Sequence, residues 1–270
     1  MDYKDIFEEL NKIQDEPIFI EGVRKAGSTY LIDMTKDEID DVIDTVVSDE
    51  LYISKYKQNS YYFGYKLNDV SRQERSDFIK WLKSFNNINP SIEAFIVRPL
   101  IKLRRELGII DFDLFIWPTS KRTKLTQWII ECYGSIMDWN TCTRSVNVIK
   151  NLPSKISFDY EKLKQDLNLN VDDKQFLDIK KYVDEILLPK IHNLDYFSIS
   201  KNVKPKYRKY IKNFLTMDED SKEIVKSIKK GYVLILDDLN TTGSTLDEIL
   251  RVINMFNPDC KVFIFTLIGK

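Results

Sequence analysis

The 270-residue sequence is short of the residues that build metal centres and disulfide frameworks. It has one histidine and three cysteines and no Cys-x-x-Cys pair, which disfavours multi-histidine metal sites, zinc ribbons and disulfide scaffolds. Glycine and proline contribute only 8 residues each, which argues against long flexible linkers. The chain must therefore fold around a hydrophobic core, and it is long enough to bury one.

Long apolar runs and a strong charge imbalance are also missing. No run reaches the roughly 18 residues that span a bilayer, and the acidic start MDYKDIFEELNKIQDEP lacks the apolar core of a signal peptide. We therefore expect a cytoplasmic protein with no membrane partner. A formal net charge of -1 gives little support to binding polyanions by bulk charge. It leaves a local basic pocket, and nucleic acid as a partner, open.

Strand-like and helix-like segments alternate along the chain. This order predicts an α/β fold with a central parallel sheet and flanking helices. In residues 1–108, which we assign to an N-terminal α+β appendage, strands are predicted at 17–22, 28–34 and 54–67 and helices at 39–47, 71–85 and 90–108. The aromatic positions Tyr61, Tyr62, Phe63 and Tyr65 are read as core rather than as a base-stacking surface.

Residues 109–270 form the predicted core. Strands are predicted at 113–117, 145–149, 195–200, 232–236 and 261–267. The predicted helices are one that ends at Gly134, one capped by Asp220 or Ser221 and ended by Gly231, and one over 244–256. A polar helical stretch at about 158–188 is interpreted as an insertion.

The segment Val233–Thr245, VLILDDLNTTGST, carries the clearest chemical signal. A hydrophobic strand ends in Asp237 and Asp238, and a short loop then enters a helix, whose N-terminal amides favour an anion. Gly243 allows the backbone to approach a ligand closely. The paired acids suit sugar hydroxyls, and could assist a magnesium ion. The competing reading treats the Thr and Ser residues as ordinary helix caps and the Asp residues as turn residues.

This segment resembles the phosphoribosyl pyrophosphate (PRPP) binding motif of type I phosphoribosyltransferases: a hydrophobic strand, two acids, two small apolar residues, then T-T-G-x-T. The resemblance implies transfer of a 5-phosphoribosyl group from PRPP to a base or amine, with Mg2+ bound mainly through the ligand. Asp237 and Asp238 would be catalytic and hold the ribose hydroxyls. The implied substrate-binding residues of the loop are Asn240, Thr241, Thr242, Gly243, Ser244 and Thr245. Asn240 departs from the pattern, because an aliphatic residue usually stands there.

The resemblance also implies two supporting segments. The family's first core strand ends in a pyrophosphate-binding loop, and Ser120, Lys121 and Arg122 occupy that place after the strand at 113–117. The basic stretch 198–214 would supply Lys201 and Arg208 near the pyrophosphate, although Ser200 replaces an expected arginine. We predict that this stretch includes a mobile lid with few apolar anchors. The competing view is a rigid surface helix.

Among subgroups, the chain resembles ComF-like proteins most, because an arginine followed by Asn-Phe precedes the PRPP motif in both (here Arg208, Asn213 and Phe214). The resemblance to the whole family implies a variable hood that recognises the acceptor, and the N-terminal third would supply it. Two other functions stay open. One is a non-catalytic regulator that senses PRPP or a nucleotide, which Ser200 and Asn240 favour. The other is a ComF-like protein that handles DNA. The sequence identifies neither the acceptor nor the oligomeric state, and a homo-oligomer is compatible with it.

Overall fold

The computed structural model describes residues 23–26, 29–32, 43–44, 51–67, 78–84, 87–88, 90–108, 110–119, 124–137, 144–228, 230–240 and 243–269. In this part of the chain the strands are β1 (Val23–Ala26), β2 (Thr29–Ile32), β3 (Ile43–Asp44), β4 (Tyr52–Tyr56), β5 (Asn59–Leu67), β6 (Leu114–Pro118), β7 (Arg144–Lys150), β8 (Ser157–Phe158), β9 (Ile211–Lys212), β10 (Leu215–Thr216), β11 (Tyr232–Leu239) and β12 (Lys261–Gly269).

The helices of the same residues are α1 (Pro90–Leu107), α2 (Leu125–Met137), α3 (Tyr160–Leu167), α4 (Lys174–Tyr182), α5 (Leu188–His192), α6 (Ile199–Asn202), α7 (Pro205–Arg208), α8 (Glu219–Ser227) and α9 (Ser244–Phe256). A 3-10 turn at Pro153–Lys155 and a π-helical turn at Val183–Leu187 accompany them. Within the described residues, none of the helices is both long enough and apolar enough to cross a membrane.

The protein has an α/β fold around a mixed, mostly parallel sheet. β6, β11, β12 and β5 are parallel neighbours in that order, whereas β3 and β4 pair antiparallel with β5. β7 follows β6 in the strand order, and β10 pairs antiparallel with β7. Almost every residue of β11 and β12 is buried, as expected for parallel strands covered on both faces. The N-terminal third thus contributes β5 to the central sheet.

The chain divides into two compact units. The first is Met1–Val146 with Ile228–Thr241 and Cys260–Lys270, and the second is Asn147–Ser227 with Thr242–Asp259. In the first unit, the Tyr65 ring stacks on Phe95 of α1 at 4.1 Å, and the Tyr65 hydroxyl donates to the Phe95 carbonyl at 2.9 Å. A Cβ at Gly64 would lie 2.5 Å from that of Pro99, so glycine is what permits α1 to lie so close to β5.

Most of the predicted elements are confirmed. The last helix spans Ser244–Phe256 as predicted, and α1 begins at Pro90 and is followed by Gly108 at a φ of 59°. The predicted insertion is helical, with α3, α4 and the π-helical turn inside it. The predicted strand at 54–67 is a hairpin of β4 and β5 that turns at Lys57, where φ is 58°. The predicted strand at 17–22 lies outside the described residues, as do residues 71–77 and residue 85 of the helix predicted at 71–85.

Three element predictions are wrong in the described residues. Ile43 and Asp44, predicted helical, form β3 against Leu67 and Lys66, because a β-branched stripe also suits a strand. The helix predicted to end at Gly134 continues to Met137, since packing offsets the cost of about 1 kcal/mol for glycine inside a helix. The predicted strand at 195–200 is instead a bend leading into α6.

A fourth correction concerns the start of α8. This helix begins at Glu219, and the carboxylate of Asp218 accepts the amide of Ser221 at 2.7 Å. Asp218 therefore performs the capping that the sequence pattern assigned to Asp220 or Ser221. The assignment of residues 1–108 and 109–270 to separate domains stays a prediction.

Candidate functional site

The paired acids lie in the last part of β11, which pairs with β12. Asp237 is in register with Thr266 of β12, and the Asn240 amide donates to the Ile268 carbonyl at 2.9 Å. Both acidic residues are buried, with Asp237 4% and Asp238 5% exposed. The Asp238 amide donates to Asp237 Oδ1 at 2.8 Å. The end of the strand therefore holds two carboxyl groups with little water around them.

Asp238 is paired with a lysine that sequence reasoning missed. Lys83 follows a short helical segment at 78–82, and its amide donates to the Ile79 carbonyl at 3.0 Å. Its Nζ lies 2.9 Å from Oδ1 and 2.7 Å from Oδ2 of Asp238. The Asp238 side chain is 7% exposed and that of Lys83 is 33% exposed. The Asp238 carboxylate is thus almost completely buried, whereas solvent can still reach the Lys83 ammonium that is paired with it.

Burial and charge shift the pKa values of this cluster in a consistent way. Burial raises the pKa of Asp237, the charge of Asp238 raises it further, and Lys83 opposes both effects. Burial lowers the pKa of Lys83, but the charge and hydrogen bond of Asp238 outweigh this, so that the pKa of Lys83 lies above its ordinary value. These directions favour a protonated Asp237 carboxyl and a charged Lys83 ammonium.

A tyrosine hydroxyl belongs to the same polar end of the sheet. Tyr61 Oη and Thr266 Oγ1 are 2.8 Å apart and share a hydrogen bond. Burial raises the pKa of Tyr61, while hydrogen bonds from Thr266 and Asn240 work against the shift. Like its neighbours Tyr62, Phe63 and Tyr65, Tyr61 is buried, so the reading of these aromatics as core is confirmed.

The helix that follows the acids has a glycine at its N-cap. Gly243 has φ 73° and ψ −7°, a left-handed conformation that favours glycine. Its carbonyl accepts the Asp247 amide at 2.8 Å. Ser244 is buried in the first turn of α9, and Thr245 is half-buried beside it. Because Gly243 has no side chain, it cannot accept a hydrogen bond from the amides of the first helical turn through a side-chain oxygen, as a Ser, Thr or Asp at the N-cap would.

The basic stretch differs from its prediction. Arg208 donates from Nε to the Val203 carbonyl at 2.9 Å and from a terminal nitrogen to the Ser200 carbonyl at 2.7 Å. Tyr207, Tyr210 and Ile211 are buried, so the prediction of few apolar anchors is wrong. Two of its lysines, Lys209 and Lys212, form ion pairs with Asp166 and Asp159 at 2.5 Å. Lys201 is exposed in α6 rather than placed at the end of a strand.

Several predicted site residues lie outside the described part of the chain: Ser120, Lys121, Arg122, Thr241 and Thr242. Their roles stay predictions. Within the first unit, the structure instead brings the two acids and Asn240 together with Lys83, Tyr61 and Thr266. No sequence signal marks Lys83, because its partner is 155 residues further along the chain.

The raised pKa of Asp237 predicts how stability varies with pH. The folded value lies above the unfolded value of about 4. The buried carboxyl therefore contributes stability that is present below about pH 4 and is lost as the pH rises through the folded pKa. Asparagine at this position keeps an acceptor for the Asp238 amide but cannot ionise. The stability of wild type relative to Asp237→Asn should thus fall with rising pH, by up to about 1.4 kcal/mol per pH unit.

Urea unfolding of both proteins at a series of pH values checks this expectation. Taking the difference between them cancels the other carboxyls, such as Asp159 and Asp218, whose lowered pKa values act with the opposite sign. A difference that stays constant across the series would show that Asp237 titrates like an ordinary exposed acid.

Comparisons with known proteins do not identify a family for this chain. No protein-family model and no curated protein matches this chain. Among solved structures, it is similar to a hypoxanthine phosphoribosyltransferase from Staphylococcus aureus, with a TM-score of 0.33 and 12% sequence identity. The match covers 66% of this chain and 63% of that one, so the chain spans less than two thirds of that protein's length.

Proposed function

We propose that this chain binds PRPP and transfers its 5-phosphoribosyl group to a nitrogen base or amine, releasing pyrophosphate. One observation carries the proposal: two buried acids end a parallel strand, and a glycine-capped helix follows them after a short loop. This is the order of parts in the PRPP-binding motif that the sequence VLILDDLNTTGST resembles. In open α/β sheets, ligands bind beyond the carboxyl ends of the strands, which is where the motif places its acids.

Each part of the motif has a task in this proposal. Asp238 accepts hydrogen bonds from the ribose hydroxyls, and these bonds are strong because the acceptor is charged. Residues 241–245 bind the 5′-phosphate with hydroxyls and with the positive end of the α9 dipole. Lys121, Arg122 and Lys201 are assigned to the pyrophosphate. Arg208 is not, because it donates to the backbone carbonyls of its own segment.

The chemistry asked of these groups is positioning and charge stabilisation. Departure of pyrophosphate leaves a transition state at C1′ that resembles an oxocarbenium ion. Much of the rate acceleration comes from holding the acceptor nitrogen in line with C1′ and the departing pyrophosphate. Cations near the pyrophosphate stabilise the negative charge that develops on it. The reaction needs no nucleophile from the protein. The buried carboxyls of Asp237 and Asp238 are therefore assigned to substrate binding and not to nucleophilic attack on C1′.

Magnesium does not fit directly at the acid pair. Lys83 contacts both oxygens of Asp238, and Oδ1 of Asp237 accepts an amide hydrogen bond. Mg2+ requires near-octahedral oxygen ligands at about 2.0–2.1 Å, and the Lys83 ammonium lies between the two Asp238 oxygens, where such an ion would bind. We therefore assign no step to a metal held by Asp237 and Asp238.

A non-catalytic sensor of PRPP or a nucleotide is the second candidate. The observation that favours it is the basic stretch, where Lys201 lies in a short helix rather than at a strand end and Ser200 occupies the position at which the resemblance implies an arginine. A sensor needs the ribose and phosphate contacts, but it does not need cations around a departing group. A DNA-handling role, the other reading of a ComF-like chain, gains no support from the described contacts.

A pyrophosphate-release assay separates enzyme from sensor. Wild-type protein is incubated with PRPP, Mg2+ and a panel of nucleobases and amines, and pyrophosphate is measured against a sample without acceptor. The proposal expects release that depends on one class of acceptor. Binding of PRPP by calorimetry without release for any acceptor would support the sensor instead. Absence of both binding and release would reject the two together.

A further inference from the structure

We propose that Lys83 is the counter-ion of the acid pair and occupies the place where a metal ion would bind to Asp238. The site would then bind the two neutral hydroxyls of a ribose, with no metal bound to Asp237 or Asp238. The inference deepens the proposed function and rests on it for the identity of the sugar. It assigns a positioning role to a residue of the N-terminal third, far in sequence from the motif.

The first support is the geometry of the ion pair. Nζ of Lys83 lies 2.9 Å and 2.7 Å from the two oxygens of Asp238, so it spans the carboxylate rather than touching one edge. A divalent cation chelated by this carboxylate would need the same region of space. An ammonium and a metal ion cannot share it, and their charges would repel in a place with little water.

The second support is the balance of charge. Two carboxyls face one ammonium, and both acidic residues are buried. The raised pKa of Asp237 agrees with a neutral cluster in which that carboxyl keeps its proton. A cluster that is already neutral gains little from a doubly charged ion, which would have to displace both the ammonium and the proton.

The third support is the hydrogen-bonding capacity that remains. A carboxylate has about four lone-pair sites, and Lys83 uses one on each oxygen of Asp238. The remaining sites can accept two hydroxyl hydrogens, which is what the neighbouring hydroxyls of a ribose offer. The partly exposed Lys83 therefore fixes the orientation of Asp238 and its charge without blocking its role as an acceptor.

Calorimetry with ribose 5-phosphate tests the inference. For wild type, we expect the same affinity within about twofold in Mg2+ and in EDTA. Lys83→Met should bind about tenfold more weakly in EDTA, a change of about 1.4 kcal/mol, and Mg2+ should restore most of the loss. Lys83→Arg keeps the charge and should behave as wild type. Lys80→Met, which changes an exposed lysine of the same helical segment, is the matched control and should change nothing.

A second measurement needs no sugar. Electron paramagnetic resonance of Mn2+ should reveal a bound ion in Lys83→Met that is lost in Lys83→Met/Asp238→Asn and is not seen in wild type. If ribose 5-phosphate fails to bind wild type, the proposed function is wrong, and the Mn2+ comparison still decides the role of Lys83.

Two results would overturn the inference. One is a wild-type affinity for ribose 5-phosphate that rises tenfold with Mg2+, a comparison that does not depend on whether Lys83→Met folds. The other is Mn2+ binding by wild type that Asp238→Asn removes.

Discussion

Asp238→Asn should lower the rate of phosphoribosyl transfer about a hundredfold while weakening ribose 5-phosphate binding less than about tenfold. The amide preserves the shape of the side chain, but half of it becomes a donor that faces the ribose hydroxyls with the wrong polarity. The charge that steadies the developing cation at C1′ is also lost. The loss should therefore be greater in the transition state than in the bound ground state.

The fold should tolerate this change because Asp237 can replace the lost negative charge. With the charge of Asp238 removed, one of the effects that raise the pKa of Asp237 disappears, and Asp237 can ionise to balance Lys83. Steady-state kinetics and calorimetry on the same preparation make the comparison. Asp259→Asn, at an exposed acid between α9 and β12, is the control and should match wild type in both. Equal losses of rate and affinity would mean that Asp238 only binds substrate.

Glu248→Ala should lower the free energy of unfolding by about 3 kcal/mol. Glu248 is 3% exposed on α9 and accepts Arg251 Nε at 2.9 Å and a terminal Arg251 nitrogen at 2.8 Å. Removing the carboxylate leaves the guanidinium without its counter-charge. We expect the lower end of the loss of stability that is typical when one partner of a buried ion pair is removed. The reason is that the Arg251 side chain is 25% exposed, so water can partly replace the lost partner.

Urea denaturation gives the free energy of unfolding directly. The matched control is Glu223→Ala, which removes the acid of the exposed pair between Glu223 and Lys226 on α8. An exposed pair of this kind contributes about 0–1 kcal/mol, so this variant should stay close to wild type. Equal effects of the two substitutions would show that the pair on α9 is no more than a surface contact.

The parts of the fold that the sequence predicts are those that depend on neighbouring residues. β11, β12 and α9 follow from local apolar runs, a proline turn and a glycine at a helix start, and all three are found where they are predicted. The acid pair follows from the same local pattern, because strand β11 carries both residues. Short-range patterns therefore predict these three elements and the position of the acid pair in β11.

The misplaced elements depend on contacts that a local pattern does not contain. Residues 195–200 alternate like a strand, but the Asn202 side chain accepts the Ser198 amide at 2.8 Å and Arg208 donates to the Ser200 carbonyl at 2.7 Å. Those bonds satisfy backbone groups that a sheet would otherwise pair. Ile43 likewise joins β5 by pairing with Leu67, a partner that no helical periodicity reveals.

The chemistry of the site was the least predictable part, for the same reason. Lys83 lies in a segment whose sequence signal is only an apolar stripe through Phe78 and Leu82. Its ion pair with Asp238 means that the two acids are not an isolated pair of like charges, because the Lys83 ammonium balances one of them. The hydroxyl of Tyr61 reaches Thr266 across 205 residues of sequence. Contacts at such separations follow from the assembled sheet, not from any one segment.

Isothermal titration calorimetry of ribose 5-phosphate against wild type and Thr242→Asp tests the central claim most directly. In the proposed function, the 5′-phosphate binds to residues 241–245 and the ribose hydroxyls bind to the acids of β11. Wild type should bind ribose 5-phosphate, and 2-deoxyribose 5-phosphate should bind more weakly because it lacks one hydroxyl. The negative charge of Thr242→Asp should weaken binding of both at least about tenfold, or 1.4 kcal/mol. Equal binding by wild type and Thr242→Asp, or no discrimination between the two sugars, would contradict the account.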